Sequence, residues 1–192
     1  MFNNIIKPAL FVLLLLPTLI LIAGVYLDTL GANPPEYVLH SLGEWALRLL
    51  LLTLFLSPIR RILSWPQVLQ LRRMFGLFTF YYASLHCLFY LWFEQGLDWS
   101  SIYEDIWERP FITVGVLAFL CLFPLAITST RNMMRQMGKR WKLLHLLVYP
   151  AVIFSVIHFW WLVKADITEP LVYAGLTAAL FVERAWGKFQ KY

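Results

Sequence analysis

The chain has 192 residues, of which 60% are hydrophobic and 14% charged, against the roughly 45–50% apolar share of a soluble domain. With 15 Phe, 9 Tyr, 9 Trp and a net charge of +5, this composition excludes a disordered, collagenous or ordinary soluble chain. It points to one membrane-embedded domain, because aromatic side chains gather at bilayer interfaces.

About 20 mostly apolar residues cross about 30 Å of hydrocarbon, and six segments qualify: 8–27, 39–57, 74–93, 111–128, 143–163 and 171–186. The first follows Lys7 and is expected to be a retained helix, since its apolar run is long for a signal peptide and no convincing cleavage site follows. Asn33, Pro34 and Pro35 read as a turn into the second span, which carries His40 at its start and Glu44 and Arg48 further in. The third span carries His86, and the fifth carries His145, Pro150 and His158. Cys87 and Cys121 lie in separate apolar runs, so neither a disulfide framework nor a zinc site is indicated.

Short cytoplasmic loops hold an excess of Lys and Arg. All basic residues except Arg48, Arg109 and Lys164 fall on one side: Lys7, then Arg60, Arg61, Arg72 and Arg73, then the loop from Arg131 to Lys142, then Arg184, Lys188 and Lys191. The opposite loops carry Asp28, Glu36, Glu94, Asp98, Glu104, Asp105, Glu108, Asp166 and Glu169. The expected fold is an all-α integral membrane protein, a six-transmembrane-helix bundle with cytoplasmic N- and C-termini, forming a single domain over 1–192. Because the positive charge is divided among short loops, nucleic acid is not an expected partner, whereas membrane lipid is. No internal repeat, low-complexity segment, dinucleotide fingerprint or P-loop is present, so another polypeptide must bind any nicotinamide nucleotide.

An ionisable residue inside a span is costly and marks a candidate functional site. Counting at about 1.5 Å per residue, His86 and His158 lie level in the outer half of two different helices, and His145 lies roughly 20 Å below His158, near the inner face. Two imidazoles facing each other at one depth can supply both axial ligands of a haem iron; alternatively, each hydrogen-bonds across a helix interface. On an ideal helix His145 and His158 stand about 140° apart, an offset that a kink at Pro150 would partly absorb. A second, inner haem on His145 would need a partner near residues 71–73, where Arg72 and Arg73 stand instead of histidine. These arginines suit haem propionates or a flavin phosphate, or act as positive-inside anchors. Arg48 needs a partner, for which Glu44 and a haem propionate both qualify. His40 is not expected to ligate iron.

Several stretches together resemble a known family. They are Gly31 to Pro34 with Glu36, His40, Gly43 and Trp45 to Arg48; Thr53 through Ser57 and Pro58 to Arg60 and Arg61; and Arg72 to Leu77. Further on come Tyr82 to His86, Arg109 to Gly115, Pro124 to Ser129, Trp141 to His145, Tyr149, and His158 with Lys164. Over nearly the whole chain this resembles the MsrQ (YedZ) family, haem-binding membrane subunits of the bacterial periplasmic methionine sulfoxide reductase system. That family is similar to the transmembrane part of ferric reductases and NADPH oxidases, which stack two haems between their third and fifth helices.

The resemblance implies a ferric reductase-like domain in the bacterial inner membrane, with one or two haem b groups on His86, His145 and His158 and with FMN as a further cofactor. It implies an electron-transfer subunit that takes electrons from a cytosolic flavin reductase or quinone. The electrons go to a periplasmic molybdopterin-containing methionine sulfoxide reductase catalytic subunit, where oxidised proteins are repaired. A flavin would sit near Arg72, Arg73, Lys139, Arg140 and Trp141. The chain lacks the larger superfamily's fourth histidine on the third helix, which leaves the second ligand of an inner haem open. Two other readings remain: a stand-alone transmembrane cytochrome b that reduces ferric chelates or quinone, and a non-redox transporter or assembly protein whose histidines only pack. No acidic relay is expected in the third, fourth, fifth or inner sixth spans, with Glu44 near the outer edge of the second the one candidate, which argues against a proton-coupled transporter.

Overall fold

Within hydrocarbon every backbone polar group must be satisfied internally, and long apolar runs do this as helices. The computed structural model describes residues 5–163 and 165–189, and no strand occurs among the described residues. In chain order the helices are α1 (Lys7–Tyr26), α2 (Pro34–Ile62), α3 (Arg72–Phe89), α4 (Trp99–Glu108), α5 (Pro110–Ile127), α6 (Arg131–Met137), α7 (Lys139–Leu144), α8 (Val148–Leu162) and α9 (Thr168–Phe189). Lys164, Lys191 and the side chain of Lys188, assigned above to loops and tail, lie outside the described residues.

Five helical segments are long and apolar enough to cross a bilayer: Lys7–Tyr26, Pro34–Ile62, Pro66–Glu94, Pro110–Ile127 and Lys139–Leu162. They correspond to the first five expected spans. The sixth expected span falls within α9, whose 22 residues give it the length, but Glu183 and Arg184 lower its hydropathy and it is not among the five.

The element boundaries follow local chemistry. Asn33 caps α2 by accepting from the Glu36 amide, while its own amide donates to the Glu36 carboxylate at 2.8 Å, a reciprocal cap that starts the helix at Pro34, five residues earlier than the apolar run suggests. A π-helical turn, Tyr90–Glu94, ends the third span. The fifth span is not one regular helix: α7 passes through a 3-10 turn at His145–Leu147 before α8 begins. Pro150 accounts for part of this break, because it cannot donate the backbone bond that would otherwise close the preceding turn.

The centre of the bundle is α2. Leu42, Leu49 and Leu56, seven residues apart, form one stripe buried against α1 and α3, as a helical period requires. Leu47, Leu50, Leu51 and Leu54 face the other way, toward Leu122 of α5, Ala151 and Val152 of α8 and Leu180 of α9. Two helix pairs, α2 with α3 and α5 with α8, make the most extensive packings. By contrast α1 leans on α2 and α3 along one edge only, with Phe11, Val12, Leu19, Ile20 and Ile22 exposed, as a helix facing lipid would be.

Candidate functional site

The two tightest helix pairs each present one histidine to the bundle interior, and they do so in the same way. On α3, His86 Nδ1 lies 2.9 Å from the Leu39 carbonyl of α2. On α8, His158 Nδ1 lies 2.6 Å from the Phe111 carbonyl of α5. A carbonyl can only accept, so Nδ1 carries the proton in both rings and Nε2 is left with its lone pair for a metal.

One turn along from each carbonyl stands a glycine. A Cβ on Gly43 would meet the His86 ring at 3.1 Å, and one on Gly115 would meet the His158 ring at 2.8 Å. The missing side chain is what lets each imidazole lie against the neighbouring backbone. Sequence reading singled out neither this role for Gly43 and Gly115 nor the two carbonyls. A signal was present: His86 and His158 lie the same distance downstream of their carbonyl partners, 47 residues. The repeat is one of geometry and not of residue identity.

The paired rings face each other with centroids 6.1 Å apart and planes at 83°. Two metal–imidazole bonds of about 2 Å each, plus the two ring radii, come to roughly 6 Å, so the spacing suits one metal between the two rings. Among the described residues no group of three or more His, Cys, Asp or Glu side chains could hold a bare metal ion. Two imidazoles alone suit a metal that arrives with its own equatorial ligands, as haem iron does. The spacing and donor atoms of His86 and His158 therefore fit axial ligation.

His145 stands apart from this pair. Its ring stacks on Trp141 at 3.8 Å between centroids, with Nδ1 3.1 Å from the Trp141 carbonyl, while Trp141 Nε1 donates to the Thr128 carbonyl at 2.9 Å. One face of Trp141 is thus already occupied by His145. His40 is exposed beside Asn33, Glu36, Tyr37 and Glu44 at the α2 start.

The arginines separate from one another. Arg48 donates through Nη2 to Glu44 at 2.6 Å and through Nε to Tyr173 of α9 at 3.0 Å, so Glu44, one of its two expected partners, meets its charge. Arg73 is exposed, whereas Arg72 turns inward and donates to Ser57. Sequence reading placed Arg184 among the tail anchors, yet it reaches back into the bundle to Tyr149, Leu54 and Ser57. Beside it Glu183 of α9, a carboxylate that counting acidic residues in the inner sixth span left out, pairs with Arg61.

A family model described as ferric reductase like transmembrane component matches residues 42–156, which contain Gly43, His86, Gly115 and His145 and end just before His158. The chain is 50% identical over 159 residues to the "Protein-methionine-sulfoxide reductase heme-binding subunit MsrQ" of Xanthomonas campestris pv. campestris (strain B100), covering 83% of this chain and 73% of that protein. It is 48% identical to the MsrQ of Xanthomonas axonopodis pv. citri (strain 306) over 84% of this chain and 74% of the relative. To the MsrQ of Azospira oryzae it is 49% identical over 91% of this chain and 76% of the relative. No solved structure matches. The apolar helices and these matches make it a multi-pass protein of the bacterial inner membrane. With its transmembrane core matched by the family model and most of its length shared with these relatives, the chain belongs to the MsrQ family of ferric reductase-like transmembrane proteins.

Proposed function

We propose that this chain is the haem b-carrying electron-transfer subunit of a methionine sulfoxide reductase system, with His86 and His158 as axial ligands of one haem. The observation that carries this reading is the facing imidazole pair, each ring tied through Nδ1 to a backbone carbonyl. When bound, haem supplies a one-electron carrier at that depth. The chain's own residues hold and orient it: Leu39 and Phe111 fix the tautomers, and Gly43 and Gly115 let the rings approach.

Six spans, with α9 as the last and both termini cytoplasmic, put this pair in the outer half of the membrane. A redox centre there is near the face where a periplasmic molybdopterin-containing catalytic subunit would take electrons and reduce methionine sulfoxide. A cytosolic flavin reductase or the quinone pool would donate from the other side. His145, on the inner side, is the residue available to a second haem, and the basic end of the bundle is where FMN would bind.

A dithionite-reduced minus oxidised spectrum, with haem quantified per chain, tests the reading in the purified wild type and in His86→Ala, His158→Ala and His145→Ala. His86→Ala and His158→Ala are each expected to lose the same haem and to stop electron delivery, because the iron is left with one protein ligand. Full haem content and activity in either variant would overturn the pairing. His145→Ala is expected to leave that haem in place, and loss of all haem would argue for a shared site.

A further inference from the structure

The end of the bundle opposite the histidine pair holds a cluster assembled by four helices. Ser57 Oγ of α2 accepts from Arg72 Nη2 of α3 and, at 3.2 Å, from Arg184 Nη2 of α9. Arg184 also donates through Nη1 to Tyr149 Oη of α8 at 2.6 Å and through Nη2 to the Leu54 carbonyl at 2.8 Å. Its guanidinium lies 5.3 Å from the Tyr149 ring centroid. Arg184 Nε is buried with no hydrogen-bond partner. Glu183 spends Oε1 on Arg61, while its Oε2 is buried and unpartnered. Arg61 thus holds the Glu183 carboxylate, while Arg72 and Arg184 converge on a neutral hydroxyl.

Two like charges drawn together inside a membrane protein are costly unless an opposite charge accompanies them. The groups that remain free to donate are Arg184 Nε–H, the other Arg72 N–H groups and the Ser57 and Tyr149 hydroxyl protons, a donor set suited to an oxyanion. We propose that Arg72, Arg184, Tyr149 and Ser57 bind the carboxylate or phosphate of an amphiphilic ligand seated in this end of the bundle. The ligand chemistry is common to a haem propionate, a flavin phosphate and an acidic phospholipid headgroup. The site lies roughly 20 Å along α3 from His86, so it is separate from the imidazole pair.

The test uses the full chain purified as wild type, Arg72→Gln, Arg184→Gln and, as a control, Arg61→Gln. Three quantities are measured per chain: haem, FMN retained after incubation with free FMN, and phosphatidylglycerol retained after re-extraction from mixed phosphatidylcholine and phosphatidylglycerol vesicles. Both Arg72→Gln and Arg184→Gln are expected to lower the same one of these, FMN or phosphatidylglycerol by about tenfold, the scale of a lost charge-assisted hydrogen bond, or haem by the one group held outside the His86 and His158 pair, while Arg61→Gln does not. Which quantity falls identifies the source of the oxyanion. Wild-type levels of all three in either variant would overturn the proposal. Should the glutamine variants fail to fold by circular dichroism, Arg72→Lys and Arg184→Lys decide, since they keep the charge and lose the planar fork. Several-fold weaker retention then supports the site and unchanged retention overturns it. The spectra of His86→Ala and His158→Ala test that pairing separately, so failure of one reading is distinguishable from failure of the other.

Discussion

Gly115 and Gly43 show how much a site can depend on an atom that is missing. Alanine at Gly115 would place a Cβ 2.8 Å from the His158 ring, so the imidazole must shift away from the Phe111 carbonyl. Loss of an outer hydrogen bond to a metal ligand typically costs about 10- to 100-fold in affinity, and Gly115→Ala is expected to fall in that range when haem is titrated into the stripped protein. Gly43→Ala, with a 3.1 Å approach to His86, is expected to cost less. Tyr82 makes a different residue-scale case, because it is fully buried and donates to the Leu14 carbonyl of α1 at 2.6 Å. Tyr82→Phe should destabilise the chain by about 1 kcal/mol, seen as a lower thermal midpoint in detergent with haem content unchanged.

Elements differ in how far sequence alone reveals them. The long spans were legible because a bilayer imposes a minimum apolar length, and the level placement of His86 and His158 followed from rise per residue alone. Helix α4 was not, since its position depends on a contact network: Asp105 receives Tyr90 at 2.8 Å and pairs with Arg109 at 3.1 Å. At its start, hydrogen bonds from the Ser100 and Ser101 hydroxyls and the Ser100 amide hold the Asp98 carboxyl below its ordinary range. A carboxyl depressed by folding stabilises above its unfolded pKa of about 4 and loses that contribution as pH falls through the lowered value. Amide exchange in the first turn of α4, corrected for intrinsic rates, should therefore accelerate as pH is lowered below about 4, while Asp98→Asn should flatten that dependence. The inward reach of Arg184 was illegible for a related reason. Counting charges assigns it to a tail, and only the packing of α9 on α2 and α8 brings it to Ser57 and Tyr149.

At the scale of the molecule, α2 with α3 and α5 with α8 form two halves that each contribute one carbonyl, one glycine and one histidine. Residue identities hide this kinship because lipid-facing positions tolerate any apolar side chain, whereas a close approach of ring to backbone demands glycine. If α9 completes a sixth crossing, a fluorescent reporter fused at either terminus should be bright in the cytoplasm. Alkaline phosphatase at the same positions should be inactive, and active phosphatase at the C-terminus would reduce the bundle to five spans.

The supports of the two imidazoles are main-chain atoms, and a main-chain carbonyl neither titrates nor changes with the genetic code. Substituting Leu39 or Phe111 alters a side chain and leaves the acceptor where it is. The acceptors that fix the two tautomers are thereby independent of which side chains stand at those two positions.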